Sequence, residues 1–279
     1  MSTVIKRDVV DYYDTHPINE KQIIDKLSLE KNTLHSLNAQ DLYAHDQDHY
    51  GGAEATKILG DAAELSKDDF VLDICSGMGG PSRYLSAEYG CRVTGVDMTF
   101  TRCVAAKNLS DMVGLNQQVQ FIQGNAQGLP FQANIFDCIV GQEAWCHVPS
   151  KEKLIAECWR TLKPRGRVAF TDIIRTDMIS SFLLDRLKNE MTFHNLATAT
   201  EYKTLLEKNG FTINRQDDLS QEWTQLLEER LRMYRSLSNS TAKSFGEARS
   251  EEWDVAYTNF VGHFGAGELG GVRFIATKL

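Results

Sequence analysis

The chain has 279 residues, 42% of them apolar and 24% charged, with a formal net charge of −8. That composition suits one large α/β domain with elaborations rather than a disordered chain, and its acidity argues against nucleic acid or an anionic membrane as main partner. The chain lacks a run of about eighteen apolar residues, and residues 1–8 lack an apolar signal core, so a cytoplasmic location is expected.

Six cysteines, at 75, 91, 103, 138, 146 and 158, form no Cys-x-x-Cys pair, and the histidines lack paired metal spacing. Neither a disulfide framework nor a metal site is expected. Residues 1–65 read mostly as helix. Val9, Val10, Tyr12 and Tyr13 cluster, His16-Pro17 breaks the pattern, and Ile23, Ile24 and Leu27 resume it at helical spacing. The polar and aromatic run Asp46-Gln47-Asp48-His49-Tyr50-Gly51-Gly52 is either a capping loop or a lid segment that sets His49 or Tyr50 over a ligand. A helix over 53–65 then leads to the first strand.

Phe70 to Ile74 reads as a buried strand with one acid, Asp73, near its end. The turn Cys75-Ser76-Gly77-Met78-Gly79-Gly80-Pro81 and a helical pattern over 82–89 follow. Strand, glycine turn and helix start make a nucleotide-binding corner, since glycine lets a ligand approach the backbone. Ser82 stands where a dinucleotide fingerprint needs its third glycine, which weakens an NAD reading. Further strands at 91–96, 119–123, 136–141 and 167–171 alternate with helices at 100–113 and 151–162, the order of a doubly wound parallel sheet. Ligands bind at the carboxyl edge of such sheets.

Asp97 closes the second strand, where it can accept from ribose hydroxyls or cap the helix near Phe100. Asn125-Ala126 follows the third strand, and Gln142-Glu143-Ala144-Trp145-Cys146-His147 follows the fourth. His147 is either a satisfied loop histidine or an acceptor-side group. Residues 173–209 read as helical, with Phe182, Leu183, Leu187, Met191 and His194 along one face. A strand at 211–217, a charged amphipathic helix at 221–236, a helical stretch at 242–262 and a last strand at 271–278 complete the chain.

Asp73, Gly77 and Gly79, with Cys75 in place of the usual first glycine, resemble motif I of class I S-adenosylmethionine (AdoMet) methyltransferases. Gly124-Asn125-Ala126 resembles that family's adenine turn, with Asn125 in place of an acid, and Leu162-Lys163-Pro164-Arg165-Gly166 resembles its structural turn. These motifs cover roughly the middle half of the chain, in order with the predicted strand ends. Gln142-Glu143-Ala144 with His147, the Asp48-His49-Tyr50-Gly51-Gly52 segment, and Gly265 to Gly271 followed by Val272-Arg273-Phe274 resemble sarcosine/dimethylglycine N-methyltransferases.

The resemblance implies a Rossmann-like, mostly parallel seven-stranded sheet with a last antiparallel strand, a helical N-terminal lid and cap insertions. It divides the chain into a lid (1–65), an AdoMet-binding core (66–175), a helical cap (176–209) and C-terminal strands with a helical insertion (210–279). AdoMet would be held by Asp73, Gly77, Gly79, Asp97, Met98, Asn125, Ala126 and Gln142. Glu143, His147 and Tyr50 would be catalytic. Gln142, His147 and Arg175 would contact a small-molecule acceptor, a small amine or amino acid such as sarcosine or dimethylglycine, with Arg175 on its carboxylate or else a solvated loop residue. A homodimer is compatible with this reading. The open alternatives are O- or C-methyl transfer to another small metabolite, a non-catalytic AdoMet-binding module, and an NAD(P) oxidoreductase.

Overall fold

In the computed structural model the apolar runs become β1 (Phe70–Ile74), β2 (Arg92–Asp97), β3 (Val119–Gln123), β4 (Phe136–Gln142), β5 (Leu162–Arg175), β6 (Phe211–Asp218) and β7 (Leu269–Lys278). They form one sheet in the order β3-β2-β1-β4-β5-β7-β6, parallel from β3 to β5 and antiparallel where β7 inserts between β5 and β6. The structure describes residues 8–14, 16, 18–31, 33–236, 242–243 and 246–279. The expected break at Pro17, residues 1–7 of the stretch expected to lack a signal core, and part of the helix expected over 242–262 (244 and 245) lie outside these residues. Among the described residues no helix is long and apolar enough to cross a membrane.

Alternation along the strands divides the core between two faces. Leu72, Ile139, Phe170 and Phe274 pack under α6 (Lys151–Thr161) and α8 (Ala199–Lys208). Val71, Val93, Val140 and Ile275 pack on the other face under α3 (Gly52–Ala62) and α4 (Gly80–Tyr89). Burial of both faces explains why these strands read as continuous apolar runs. A third cluster forms the cap. Leu183 and Leu187 of α7 (Ser181–Glu190), Trp223, Leu227 and Leu231 of α9 (Ser220–Ser236), and Phe260 and Phe264 of α10 (Glu247–Gly265) meet Ile173 and Leu269 at the sheet edge. A fourth sets Ile23 and Leu27 of α2 (Glu20–Glu30) against Leu109 and Val113 at the end of α5 (Phe100–Met112). The short α1 (Val9–Asp14) precedes α2.

The structure corrects the reading of 173–209 as helix. β5 runs on to Arg175 because its last nine residues, from Arg167, pair with β7. The helix pattern also breaks over 191–198, where Thr192 adopts φ +57°, and restarts only at the Thr198–Glu201 capping box of α8. Of the expected stripe, Leu183 and Leu187 are buried, while Phe182 is 75% exposed. The Lys163-Pro164-Arg165-Gly166 turn lies inside β5, with Arg165 at φ +63° and a register shift against β4.

The segment 46–52 is bolted to the first helix of the sheet. The Arg83 guanidinium, on α4, donates from Nε and Nη2 to Asp46 Oδ2 (3.1 and 2.8 Å), and both side chains are fully buried. Its Nη1 donates to Ala106 O and Ser110 Oγ, each at 3.2 Å. Gly80 makes room for this contact, since a Cβ there would stand 2.1 Å from the Asp46 carbonyl oxygen. Removing one partner strands a buried charge, so Asp46→Ala should lower stability by about 3–5 kcal/mol. Asp46→Leu combined with Arg83→Met should recover much of that loss. Denaturant unfolding of the single and double variants checks this, and an additive double variant would contradict it.

Candidate active site

The turn after β1 bends through three left-handed residues, Cys75 (φ +63°), Gly77 (+52°) and Gly79 (+78°). The Cys75 and Ser76 N–H groups donate to Val96 O at 2.8 and 3.1 Å, which docks the turn on the end of β2. Asp97 then ties two turns together. One carboxylate oxygen accepts from the Gly77 N–H (2.9 Å), the other from the Thr99 N–H (2.8 Å). Burial raises its pKa, and these backbone donors work against the rise.

The two glycines differ in what they allow. A Cβ on Gly77 would meet no atom within 4 Å, whereas one on Gly79 would stand 2.3 Å from the Phe121 ring. Gly77 therefore leaves an open cradle. Gly79 is needed for packing against Phe121 and for its backbone angle. Asp73 is buried beneath the turn, accepts from the Ser82 hydroxyl (2.6 Å) and is pushed up to about 7 by burial; it braces the start of α4.

Met98 and Ile122, at the carboxyl ends of neighbouring strands, are 41% and 38% exposed. Asn125 Oδ1 accepts from the Gln127 N–H (2.9 Å), so that oxygen serves its own turn and its amide hydrogens remain the groups to offer a base; Ala126 is buried beside it. Ser76 Oγ is buried without a protein partner. A cradle, a carboxylate beside it, apolar side chains flanking it and an unused hydroxyl suit an adenosine-bearing ligand such as AdoMet.

Beyond β4 the chain turns sharply at Glu143 (φ +47°) and makes one 3-10 turn, Trp145–His147. Glu143 Oε2 accepts from the Tyr50 N–H (2.6 Å) and Oε1 from the Thr171 hydroxyl, so it staples the segment 46–52 to the sheet. Burial pushes Glu143 up to about 7. Asp172 accepts from the Cys146 N–H (3.0 Å) and the Tyr202 hydroxyl (2.6 Å). The buried Lys151 ammonium donates to the Trp145, Val148 and Asn195 carbonyls. This frame fixes the loop that carries His147.

His147 Nδ1 lies 3.0 Å from both the carbonyl oxygen and the hydroxyl of Thr192; because the carbonyl can only accept, we assign the proton to Nδ1. Nε2 is thereby an acceptor, and the Tyr13 hydroxyl donates to it at 2.9 Å. Burial brings His147 down to about 4, so it is neutral at pH 7, and the same cause raises Tyr13. The Arg102 guanidinium covers the Tyr13 ring at 5.1 Å. The Gln142 amide nitrogen and the Tyr50 carbonyl oxygen each lie 3.2 Å from His49 Nδ1, and the Gln142 oxygen accepts from the Thr56 hydroxyl (3.1 Å).

The structure thus gathers Tyr50, Gln142, Glu143 and His147 at one edge, next to the Asp97 turn. Arg175 does not join them. Its guanidinium pairs with Glu201 and, with Thr198 and Thr200, lines a separate cleft of about 800 Å³ at the start of α8. The Arg175 side chain leaves the strand end toward α8, so it is engaged with Glu201 rather than turned toward His147. Three residues not singled out from sequence enter instead. Tyr13 and Thr192 hold the two nitrogens of His147, and the Arg230 guanidinium lies 5.4 Å from the Tyr50 ring with Nη2 donating to His49 O (2.9 Å). Arg230 borders the apolar stripe Trp223, Leu227 and Leu231, the signal that could have drawn attention to it.

Fold and edge site together define an AdoMet-dependent methyltransferase of class I. Residues 72–170 match the methyltransferase domain family. Phosphoethanolamine N-methyltransferase of Plasmodium falciparum is 30% identical over 208 residues, 71% of this chain and 74% of the relative. Glycine/sarcosine/dimethylglycine N-methyltransferase of Actinopolyspora halophila is 26% identical over 206 residues, and the chain spans only 36% of that protein's length. The structure of Haemonchus contortus phosphoethanolamine N-methyltransferase 2, with phosphomonomethylethanolamine and S-adenosylhomocysteine, superimposes with a TM-score of 0.78 at 18% identity, covering 96% of this chain and 60% of that one. The chain belongs to the class I S-adenosylmethionine-dependent methyltransferases, and AdoMet is its cofactor.

Two outcomes follow. Gly77→Ala should fold with a loss of about 1 kcal/mol from its positive φ, yet bind AdoMet far more weakly in calorimetry. Gly79→Ala should instead lose stability through collision with Phe121. Normal AdoMet affinity in folded Gly77→Ala would misplace the cradle. Glu143 gives a pH signature in the ligand-free protein. Its folded pKa, about 7, lies above the ordinary 4.5, so its ionisation destabilises the fold progressively from about pH 4.5 to 7. Glu143→Gln should gain stability relative to the parent across that window, by up to about 3 kcal/mol, and show no pH-dependent gain below it. A difference in melting temperature that is flat in pH would contradict this.

Proposed function

We propose that this enzyme transfers the AdoMet methyl group to the nitrogen of a small amine or amino acid, as the names of its methylamine-forming relatives suggest. The observation that carries the reading is the part-buried Tyr13–His147 hydrogen bond, in which a neutral imidazole accepts from a phenol. AdoMet supplies an electrophilic methyl on a sulfonium whose thioether leaves without acid assistance. The protein must therefore position the acceptor, exclude water and take a proton from an ammonium.

An acceptor ammonium beside Tyr13 can give its proton to the phenol oxygen as the phenol's own proton passes to His147 Nε2. The nitrogen lone pair is then free to face the methyl group. Thr192 holds Nδ1–H throughout and so keeps Nε2 available. Burial also lowers the acceptor's own pKa, which eases the transfer. Glu143 keeps Tyr50 against the sheet, and Gln142 orients His49. In this reading the lid, core and cap take the division expected from sequence, with α1 belonging to the catalytic wall.

Incubation with labelled AdoMet and a panel of small amines, alcohols and carbon acids tests the reaction, with the methyl located by mass and NMR. Methyl on nitrogen is expected; transfer only to oxygen or carbon would contradict the reading. Tyr13→Phe should reduce kcat by about 10²–10⁴-fold with AdoMet affinity retained. A Tyr13→Phe enzyme with the parent kcat would remove Tyr13 from the mechanism.

A further inference from the structure

The buried and half-buried arginines of the fold show an asymmetry. Eight described arginines are buried or half-buried: Arg83, Arg102, Arg160, Arg167, Arg175, Arg186, Arg230 and Arg273. Seven have a carboxylate within 4 Å. Among the described residues, Arg230 is the one without. A half-buried guanidinium without a counter-ion is costly unless something else completes it.

Its surroundings are built rather than loose. The guanidinium lies over the Tyr50 ring, which packs edge-on against Trp223 at 5.1 Å, and Glu143 holds the Tyr50 backbone. The His49 carbonyl fixes Nη2 from one side. Of five N–H donors in a planar fork, the His49 carbonyl takes one and the Tyr257 hydroxyl oxygen is a second partner, and the remaining donors of such a fork match the paired oxygens of a carboxylate or phosphate. Tyr13 and Tyr50 both lie within electrostatic reach of the Cys146 thiol, so the Tyr13–His147 pair and Arg230 flank the same loop after β4.

We infer that Arg230 is the specificity-determining cation of the acceptor chamber, and that the acceptor is an amine bearing an oxyanion group that docks on Arg230 while its nitrogen reaches Tyr13. This rests on the amine reading above and extends it to the other end of the substrate. Tyr50 takes a role as the platform that holds Arg230 flat.

The test compares the parent with Arg230→Met and Arg230→Lys, using three acceptor sets. These are amino carboxylates such as sarcosine and dimethylglycine, a phosphorylated amino alcohol, and uncharged amines such as dimethylamine and ethanolamine. For the anionic class that the enzyme uses, Arg230→Met should raise KM by about 10- to 150-fold, the cost of losing hydrogen bonds to a charged group. Its effect on kcat, and on KM for uncharged amines, should be at least tenfold smaller. Arg230→Lys should recover part of the KM loss as a point charge without the fork. The carboxylate and phosphate arms identify which oxyanion is bound.

A binding readout runs alongside. Calorimetry of acetate and of inorganic phosphate into the enzyme saturated with S-adenosylhomocysteine should show binding that Arg230→Met abolishes. Equal KM increases for charged and uncharged amines, or anion binding that survives Arg230→Met, would overturn the inference. If no amine is methylated by the parent, the amine reading fails, and the anion-binding arm still decides the role of Arg230.

Discussion

The Asp46–Arg83 ion pair is the joint on which the rest of the site depends. It ties a loop from the N-terminal region to the helix that begins at the glycine turn, so the segment 46–52 is held beside the cradle. Everything carried by residues 46–52 inherits that position. His49 and Tyr50 reach the end of β4 because Asp46 cannot leave Arg83 without exposing a buried charge. Glu143 closes the connection from the far side by accepting from the Tyr50 N–H. Donor turn and acceptor loop are thus linked through two buried carboxylates with fixed partners.

The same burial sets the electrostatics of the chamber. Desolvation moves Glu143 up to about 7 and His147 and His49 down to about 4, so the acceptor edge carries neutral histidines near neutral pH. A methyl transfer asks for such a place. On the proposed N-methyl reading the reacting nitrogen must be uncharged, and water must be kept from a reactive sulfonium. A charged imidazole at 147 would offer Tyr13 no lone pair. The neutral one, with its Nδ1 proton committed to Thr192, offers one lone pair in one direction.

Much of the core was legible in the sequence because parallel strands covered on both faces leave long apolar runs, and glycine turns between them have a local cause. What was not legible depended on distant pairing. β5 extends to Arg175 only because β7, about a hundred residues later, supplies its partners. Topology put Arg175 at the right strand end, but the direction of its side chain is decided by Glu201 on α8. Tyr13 and His147 are 134 residues apart, and neither carries a mark of the other. The Gly77 and Gly79 positions looked equivalent as motif letters. Only packing separates the open cradle at one from the Phe121 contact at the other.

In the proposed arrangement donor, proton acceptor and oxyanion clamp surround one loop, and a structure of the enzyme with S-adenosylhomocysteine and an amine acceptor tests it most directly. The ribose hydroxyls should lie within hydrogen-bond distance of Asp97, with the chain approaching Gly77, and the thioether sulfur should face an acceptor nitrogen beside Tyr13. An acceptor seated instead in the Arg175 cleft, or a sulfur pointing away from the Tyr13–His147 pair, would contradict it.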